Sequence, residues 1–178
     1  GSRWKVTDSA TDQTTEYTYD DASRLSTVRV PGDPDPTTYT YYPDNLLEEI
    51  RYANNTVTKH TYDAADRPAK IETHQGTSTG PLLSGFAYQY DDNGTRTSEE
   101  QTRTTWAGGL EAEVTTYGDG SAPGSAGSGY DAVNRLKLVT YNALDTDPSK
   151  RQILTYGYDL SGNRTFEQEK DGTGAIKR

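Results

Sequence analysis

Five aspartates in this 178-residue chain stand directly after a tyrosine: Asp20, Asp63, Asp91, Asp131 and Asp159. A carboxylate repeated in one local context could move protons as a general acid or base, bind Ca²⁺ through oxygen, or hold a turn by accepting main-chain amides. The calcium reading needs a D-x-[DN]-x-[DN]-G run, and none of the five begins one. The acid–base reading needs a partner. His60 and His74 are the only histidines, the side chains that titrate nearest neutrality. His60 stands where Tyr17, Tyr88 and Tyr156 stand in sister segments and reads as a rung of an aromatic ladder; His74 lies near a loop and reads as solvated. The adjacent acids Glu48–Glu49 and Glu99–Glu100 would alternate across an extended chain rather than converge. H-E-x-x-H, G-x-S-x-G, P-loop and G-x-G-x-x-G signatures are absent. The expectation is a chain without catalytic residues, metal or cofactor, whose aspartates cap turns. An acid pair for glycoside cleavage assembled from separate strands would leave no local signature.

The elements that hold these aspartates recur. "YQYDDNGTRT" at 88–97 returns as "YGYDLSGNRT" at 156–165, with shorter relatives "YTYDDASRL" at 17–25, "HTYDAADRP" at 60–68 and "GYDAVNRL" at 129–136, and a degraded copy "YTYYPDNLL" at 39–47. The second aromatics are Tyr19, Tyr41, Tyr62, Tyr90, Tyr130 and Tyr158, six anchors a few tens of residues apart, which marks a repeat protein. In each copy two rings at spacing two share one face of an extended chain. A cluster of Asp, Asn, Ser and Gly then supplies turn chemistry, and an arginine opens the return run. The unit is strand, tight turn, strand.

Two turn lengths are expected. Arg24, Arg67 and Arg135 follow their tyrosine by five positions, whereas Arg96 and Arg164 follow theirs by six and are preceded by Gly94 and Gly162, which suits a loop closed by a left-handed glycine and a bulge. "LLEEIRY" at 46–52 follows a Pro-Asp-Asn turn and alternates Leu46, Glu48, Ile50 and Tyr52, so it is read as strand. The fold expected is all-β: antiparallel hairpins in a twisted, spiralling or partly closed sheet with negligible helix, forming one domain over residues 1–178 of about six units.

The pattern Y-x-Y-D-x-x-G-x-R, from about Tyr17 to Thr165, resembles the YD or Rhs repeat of bacterial Rhs and wall-associated polymorphic toxins, insecticidal toxin-complex cocoon subunits and teneurins. That resemblance implies hairpins laid side by side in a spiralling strip that closes into a hollow shell around cargo. It implies a structural, non-catalytic role in a secreted or cell-surface protein. Six copies are too few for a shell, and "DPDP" at 33–36 and "DTDPSK" at 145–150 lack the aromatic and glycine context of the aspartyl self-cleavage motif in toxin members.

Composition bounds the remaining readings. Only 30% of residues are hydrophobic, mean hydropathy is −0.96, and 14 Tyr stand against 2 Phe and no Met. Tyrosine buries a ring but keeps a hydroxyl that wants a partner, so a thin sheet of ring ladders with water near the hydroxyls is expected. A net charge of −9, a pI near 4.7 and no basic cluster argue against nucleic acid and anionic membranes, and no apolar run is long enough to span a bilayer. Zero cysteines exclude disulfides and thiol chemistry. The opening Gly-Ser resembles an expression scar, leaving room for a signal peptide removed upstream. "DGSAPGSAGSG" at 119–129 reads as a flexible linker. A natural insertion, a joint replacing deleted sequence and the closure of a circular permutation all fit it. "GTSTGPLLSG" at 76–85 reads as a long hairpin tip. Expected partners are the remainder of a larger YD-repeat protein or a second copy through sheet edges, with "RTSEEQTRTT" at 96–105 suited to protecting an edge. A rival reading makes Trp4, Trp106 and the tyrosines an aromatic platform for glycans.

Overall fold

The computed structural model describes residues 3–105, 107–118 and 129–177; Trp106 and most of the Gly/Ser-rich stretch lie outside the described residues. Thirteen strands form one antiparallel sheet in strict chain order. They are β1 Arg3–Asp8, β2 Gln13–Tyr19, β3 Leu25–Arg29, β4 Thr37–Tyr41, β5 Leu47–Arg51, β6 Thr56–Tyr62, β7 Pro68–Gln75, β8 Leu82–Tyr90, β9 Arg96–Thr104, β10 Leu110–Thr116, β11 Leu138–Tyr141, β12 Gln152–Tyr158 and β13 Arg164–Asp171. The one helical element among the described residues is a 3-10 turn at Pro148–Lys150, where Asp147 caps by accepting from the Ser149 amide. By contact density the chain separates into two compact units, Gly1–Gly85 and Phe86–Arg178.

The strands form because Thr, Tyr, Val and Ile suit a pleated surface, and each turn sequence forces the chain straight back. "LLEEIRY" is strand, with Ile50 opposite Tyr39 and Thr58. Its Glu–Glu pair carries no helical side-chain periodicity, and the turn before it fixes the register.

The core is small. In the first unit Val57 and Thr58 are buried; in the second Val139 and Ala143 are 1–2% exposed and Val114 is buried, as are the polar residues Thr97, Ser98, Thr116 and Thr140. Threonine pairs bond across the ladder, Thr58 to Thr73 at 2.9 Å and Thr18 to Thr27 at 2.6 Å. With so little apolar surface removed from water, the hydrogen-bonded ladder and the links between hairpins carry much of the cohesion.

Two local expectations are corrected. The polar strand β9 guards no edge: it lies between β8 and β10, and its Thr97 and Ser98 are buried. Small hydroxyl side chains fit against closely packed neighbours, which polarity alone does not reveal. The tip at 76–85 is shorter than its composition suggests. Gln75 N donates to Pro81 O, Gly80 N donates to Thr77 O, and Leu82–Gly85 belong to β8.

Candidate functional site

The five tyrosine–aspartate segments and the degraded Tyr41–Tyr42 copy all fold into the same turn. The residue after the second tyrosine, X, donates its amide to the carbonyl of X+4, and X+3 donates back to the carbonyl of X. These bonds are 2.8 and 3.0 Å at Asp20, 2.9 and 3.0 Å at Tyr42, 2.9 and 3.1 Å at Asp63, 2.9 and 3.0 Å at Asp91, 2.9 and 3.0 Å at Asp131, and 3.0 and 3.1 Å at Asp159. Residue X+3 is left-handed in every copy: Ser23, Asn45, Asp66, Gly94, Asn134 and Gly162 have φ between 59° and 88°. The expectation of two turn lengths is therefore overturned. The loop is constant, and what moves is the arginine, at X+4 in Arg24, Arg67 and Arg135 and at X+5 in Arg96 and Arg164. Ser, Asn and Asp tolerate the left-handed well when a short polar side chain can bond locally, so glycine is not required there.

The aspartates hold these turns. Asp20 Oδ1 accepts from the amides of Ala22 (3.0 Å) and Arg24 (2.9 Å), Asp131 Oδ1 from Val133 (3.1 Å) and Arg135 (2.9 Å), and Asp159 Oδ1 from Ser161 (2.9 Å) and Asn163 (2.8 Å). Asp63 and Asp91 accept in the same way, from Ala65 and Arg67 and from Asn93 and Thr95. The amides of Arg24 and Arg135 hold the Asp20 and Asp131 carboxyls below the usual carboxylate range, and the Asn163 side-chain amide does so first for Asp159. The five side chains are spent on main-chain amides, and the lowered pKa of Asp20, Asp131 and Asp159 suits a cap and not a general acid.

The second tyrosine ties one hairpin to the one before it. Its hydroxyl donates to the carbonyl of X+5 in the preceding turn: Tyr41 to Leu25 (2.8 Å), Tyr62 to Leu47 (3.0 Å), Tyr130 to Arg96 (3.2 Å) and Tyr158 to Leu136 (2.6 Å). These hydroxyls meet protein rather than the water expected around a ring ladder. Tyr19 belongs to the first turn, and its hydroxyl has no such bond among the described residues.

The arginines divide by position. Arg24, at X+4, donates Nε to Asp20 Oδ2 (2.8 Å), lies 4.5 Å over the Tyr41 ring and reaches Asn45 Oδ1 (2.8 Å) in the next turn. Arg135 repeats this on Asp131 Oδ2 (2.7 Å), the Tyr158 ring (4.6 Å) and the Asp159 carbonyl (3.3 Å), and Arg67 holds Asp63 Oδ2 at 2.7 Å. Arg96 and Arg164, at X+5, turn to the first tyrosine of their own hairpin, Tyr88 and Tyr156, both at 5.4 Å, and pair with Glu99 and Glu167 at 3.0 Å. Arg96 also donates to the Tyr117 hydroxyl at 2.6 Å. Tyr117, whose ring stacks 6.2 Å from Tyr130, is the first tyrosine of the fifth unit, as removing 119–129 to join "TTYG" to "YDAVNRL" in register with "LTYGYDLSGNR" leads one to expect.

The other chemical candidates resolve singly. His60 lies opposite Ile71, its buried Nε2 without a hydrogen bond, and burial lowers its pKa. His74 is not simply solvated: its Nδ1 lies 2.9 Å from the Gly80 carbonyl, so Nδ1 carries the proton. Glu49 pairs with Arg51 at 3.3 Å and Glu99 with Arg96. Among the described residues no cluster of three or more acids or histidines could hold a metal, and no helix is long and apolar enough to cross a membrane. Trp4 is 65% exposed on β1, and Trp106 lies outside the described residues. Sequence reading missed Tyr42 as an aspartate substitute and the same turn at the opposite ends of hairpins, at Tyr52–Thr56, Thr105–Gly109 and Asp171–Ala175. A left-handed Asn or Gly three places on, at Asn55, Gly108 and Gly174, is the signal that could have found them.

Repeated antiparallel hairpins stapled by tyrosine hydroxyls define a YD-shell architecture, and the comparisons agree. The teneurin YD-shell family model matches residues 2–138. The chain belongs to that family. Among solved structures, it resembles a Photorhabdus luminescens Tc holotoxin pore at TM-score 0.68 and 18% identity, over 98% of this chain and 9% of that one. It also resembles a TcdB2-TccC3 crystal structure at TM-score 0.65 and 18% identity, over 93% and 9%, and a TcdB2-TccC3-Cdc42 crystal structure at 0.65 and 17%, over 92% and 8%. The chain thus spans less than a tenth of the length of the chains it matches. No curated protein sequence matches it.

Proposed function

We propose that these residues form a non-catalytic wall segment of a larger extracellular or envelope YD-repeat protein, the six repeats of residues 1–178 working as one structural domain. The observation that carries this reading is the tyrosine staple, made with one geometry by Tyr41, Tyr62, Tyr130 and Tyr158. Each of these bonds joins a hairpin to its predecessor, and the capping carboxylates accept from main-chain amides of their own turns. The family match and the small share of the similar Tc toxin chains that this chain covers support a parent much longer than 178 residues. A net charge of −9 supports the exclusion of nucleic acid as a partner.

The outer side of β1 ends the strand order, and an unpaired edge accepts another strand. A neighbouring repeat of the parent, or a second copy of this chain, is the partner that edge fits. On the outer side of β13, residues that follow it already fold back, with Lys177 N donating to Glu169 O at 2.9 Å.

Thermal melts of Asp91→Ala and Asp159→Ala test the structural reading. Both variants should melt below the parent, since each leaves two turn amides without their acceptor. Acids placed for reaction often leave stability unchanged or improved when removed, so unchanged or raised melting temperatures would sink the scaffold reading. Sedimentation over a wide concentration range tests edge pairing, and a strict monomer throughout would count against a second copy as partner.

A further inference from the structure

We propose that the cavity between the Tyr42 and Asp63 turns binds an alkylguanidinium group, the head of an arginine side chain, brought by another molecule. Such binding is independent of the wall role.

The sister turns show what this place holds. Arg24 touches four groups: the Asp20 carboxylate of its own turn (2.8 Å) and, in the next turn, the Tyr41 ring (4.5 Å), the Tyr42 carbonyl (3.4 Å) and Asn45 Oδ1 (2.8 Å). Arg135 meets the Asp131 carboxylate, the Tyr158 ring and the Asp159 carbonyl in the same way. One turn on from Arg24, the counterparts of its four partners are Tyr42, Tyr62, Asp63 and Asp66, and the arginine position is Leu46. All five line one cavity of about 230 Å³, together with Asp44. Leu47 follows Leu46, so this turn carries no arginine at X+4 or at X+5. It lacks the cation but keeps the surroundings.

Those surroundings suit a cation. The Tyr42 and Tyr62 rings stand 6.1 Å apart at 85°, two aromatic walls at a right angle, and a ring face attracts a guanidinium. Their hydroxyls are anchored on the His60 and Leu47 carbonyls, both at 3.0 Å, which fixes the walls before anything binds. Burial raises the pKa of both hydroxyls first, and the Asp44 charge raises each further, so that carboxylate acts on both rings. Asp44 Oδ1 accepts from the Leu46 amide at 3.2 Å, and Oδ2 remains. Asp66 puts a full negative charge where the preceding turn has the Asn45 amide oxygen; among the described residues its carboxylate has no hydrogen bond or ion pair. The Asp63 carboxylate is held by Arg67 Nε at 2.7 Å, so Asp63 offers its carbonyl, as Asp159 does to Arg135.

Among the described residues no group of acids here fits a metal ion. A guanidinium presents five donors in one plane and can lie on a ring while bonding a carbonyl and two carboxylates. An ammonium has three donors and no plane. The net charge of −9 favours the approach of a cationic partner.

The test is an amide NMR titration of the whole chain with N-acetyl-arginine methylamide, propylguanidinium, N-acetyl-lysine methylamide and N-acetyl-citrulline methylamide, the last keeping the shape of arginine without its charge. Both guanidinium compounds should give saturable millimolar shifts centred on Asp44, Leu46, Asp63 and Asp66. Tighter binding of the capped arginine would mark a peptide as the source, and equal binding the head group alone. The lysine compound should bind at least about threefold more weakly, and the citrulline compound not at all. Leu46→Arg supplies the group from the chain itself, so this variant should melt above the parent and lose the shifts. Asp44→Asn with Asp66→Asn keeps every acceptor and the left-handed turn, as Asn45 does at φ 73°. That double variant should hold its melting temperature and weaken binding by about tenfold or more; it decides the matter should Leu46→Arg not fold. Absence of saturable shifts with both guanidinium compounds, shifts centred elsewhere, citrulline or lysine binding as tightly as arginine, or full binding by Leu46→Arg or by the double variant would each overturn the proposal.

Discussion

The Tyr158 hydroxyl lies 2.6 Å from the main-chain oxygen of Leu136, a residue of the preceding turn. The same tyrosine carries the Arg135 guanidinium 4.6 Å over its ring, and Arg135 in turn grips Asp131. One side chain thus joins two turns by a hydrogen bond, a ring face and, through arginine, a carboxylate.

Removing only the oxygen isolates the first of these links. Tyr158→Phe should cost about 0.5–1.5 kcal/mol, a fall of about 2–4 °C in melting temperature per kcal/mol for a chain of this size. Tyr41→Phe should behave alike, since its bond to Leu25 is equivalent. Tyr19→Phe should be near neutral, because the Tyr19 hydroxyl makes no such bond among the described residues. Differential scanning calorimetry of the three variants checks this, and a loss at Tyr19 equal to the others would contradict it.

The two arginine positions should respond unequally. Arg135 is one-third exposed and bonded to Asp131 and Asp159, whereas the side chain of Arg164 is 57% exposed and paired with Glu167. Arg135→Gln should therefore lower the denaturation midpoint clearly more than Arg164→Gln, an exposed ion pair being worth little. Added salt should narrow the Arg164 effect further.

Backbone conformation can be tested at Gly162. Its φ is 88°, and an added Cβ would meet only the tip of Arg135 at 3.9 Å. Gly162→Val should thus fail for conformational reasons rather than by collision, at about 1–2 kcal/mol or more. Asn134→Gly at the matching position of the fifth turn, φ 64°, should be close to neutral. Urea melts distinguish the outcomes, and a neutral Gly162→Val would show that the turn does not need the left-handed well.

Acid should weaken the fold in two stages. The Asp171 carboxyl, held chiefly by the Thr173 hydroxyl, is lowered from 3.8 to about 2, and the Asp20, Asp131 and Asp159 carboxyls are lowered too. Between folded and unfolded values the unfolded chain binds more protons, so this stability is whole above about pH 4 and drains away as pH falls towards 2. His60 is lowered from 6.5 by burial, so its neutral form is favoured in the fold and an earlier loss begins as pH drops below 6.5. Urea midpoints from about pH 8 to about pH 2 should show both stages, and His60→Tyr, the residue of the sister segments, should remove only the first.

The sequence by itself determined the hairpins. Tyrosines at spacing two, a polar turn cluster and a return arginine specify strand, turn and strand locally, because backbone preference and turn-capping side chains act within a few residues. It likewise placed the capping role on Asp20, Asp63, Asp91, Asp131 and Asp159, since an aspartate bonds amides two and four residues on wherever it sits in such a turn. Loop length at Gly94 and Gly162 is not legible from the arginine spacing, because the hydrogen bonds fix the loop from Asp to X+4 while the arginine sits at X+4 or X+5. Only the tertiary structure decided what the tyrosine hydroxyls do. The acceptor of Tyr130 is the Arg96 carbonyl, 34 residues away, and any residue type offers that carbonyl, so no sequence pattern marks it. The same holds for Arg24 and Asn45, 21 residues apart: antiparallel register brings their turns side by side, and composition does not mark which turns meet.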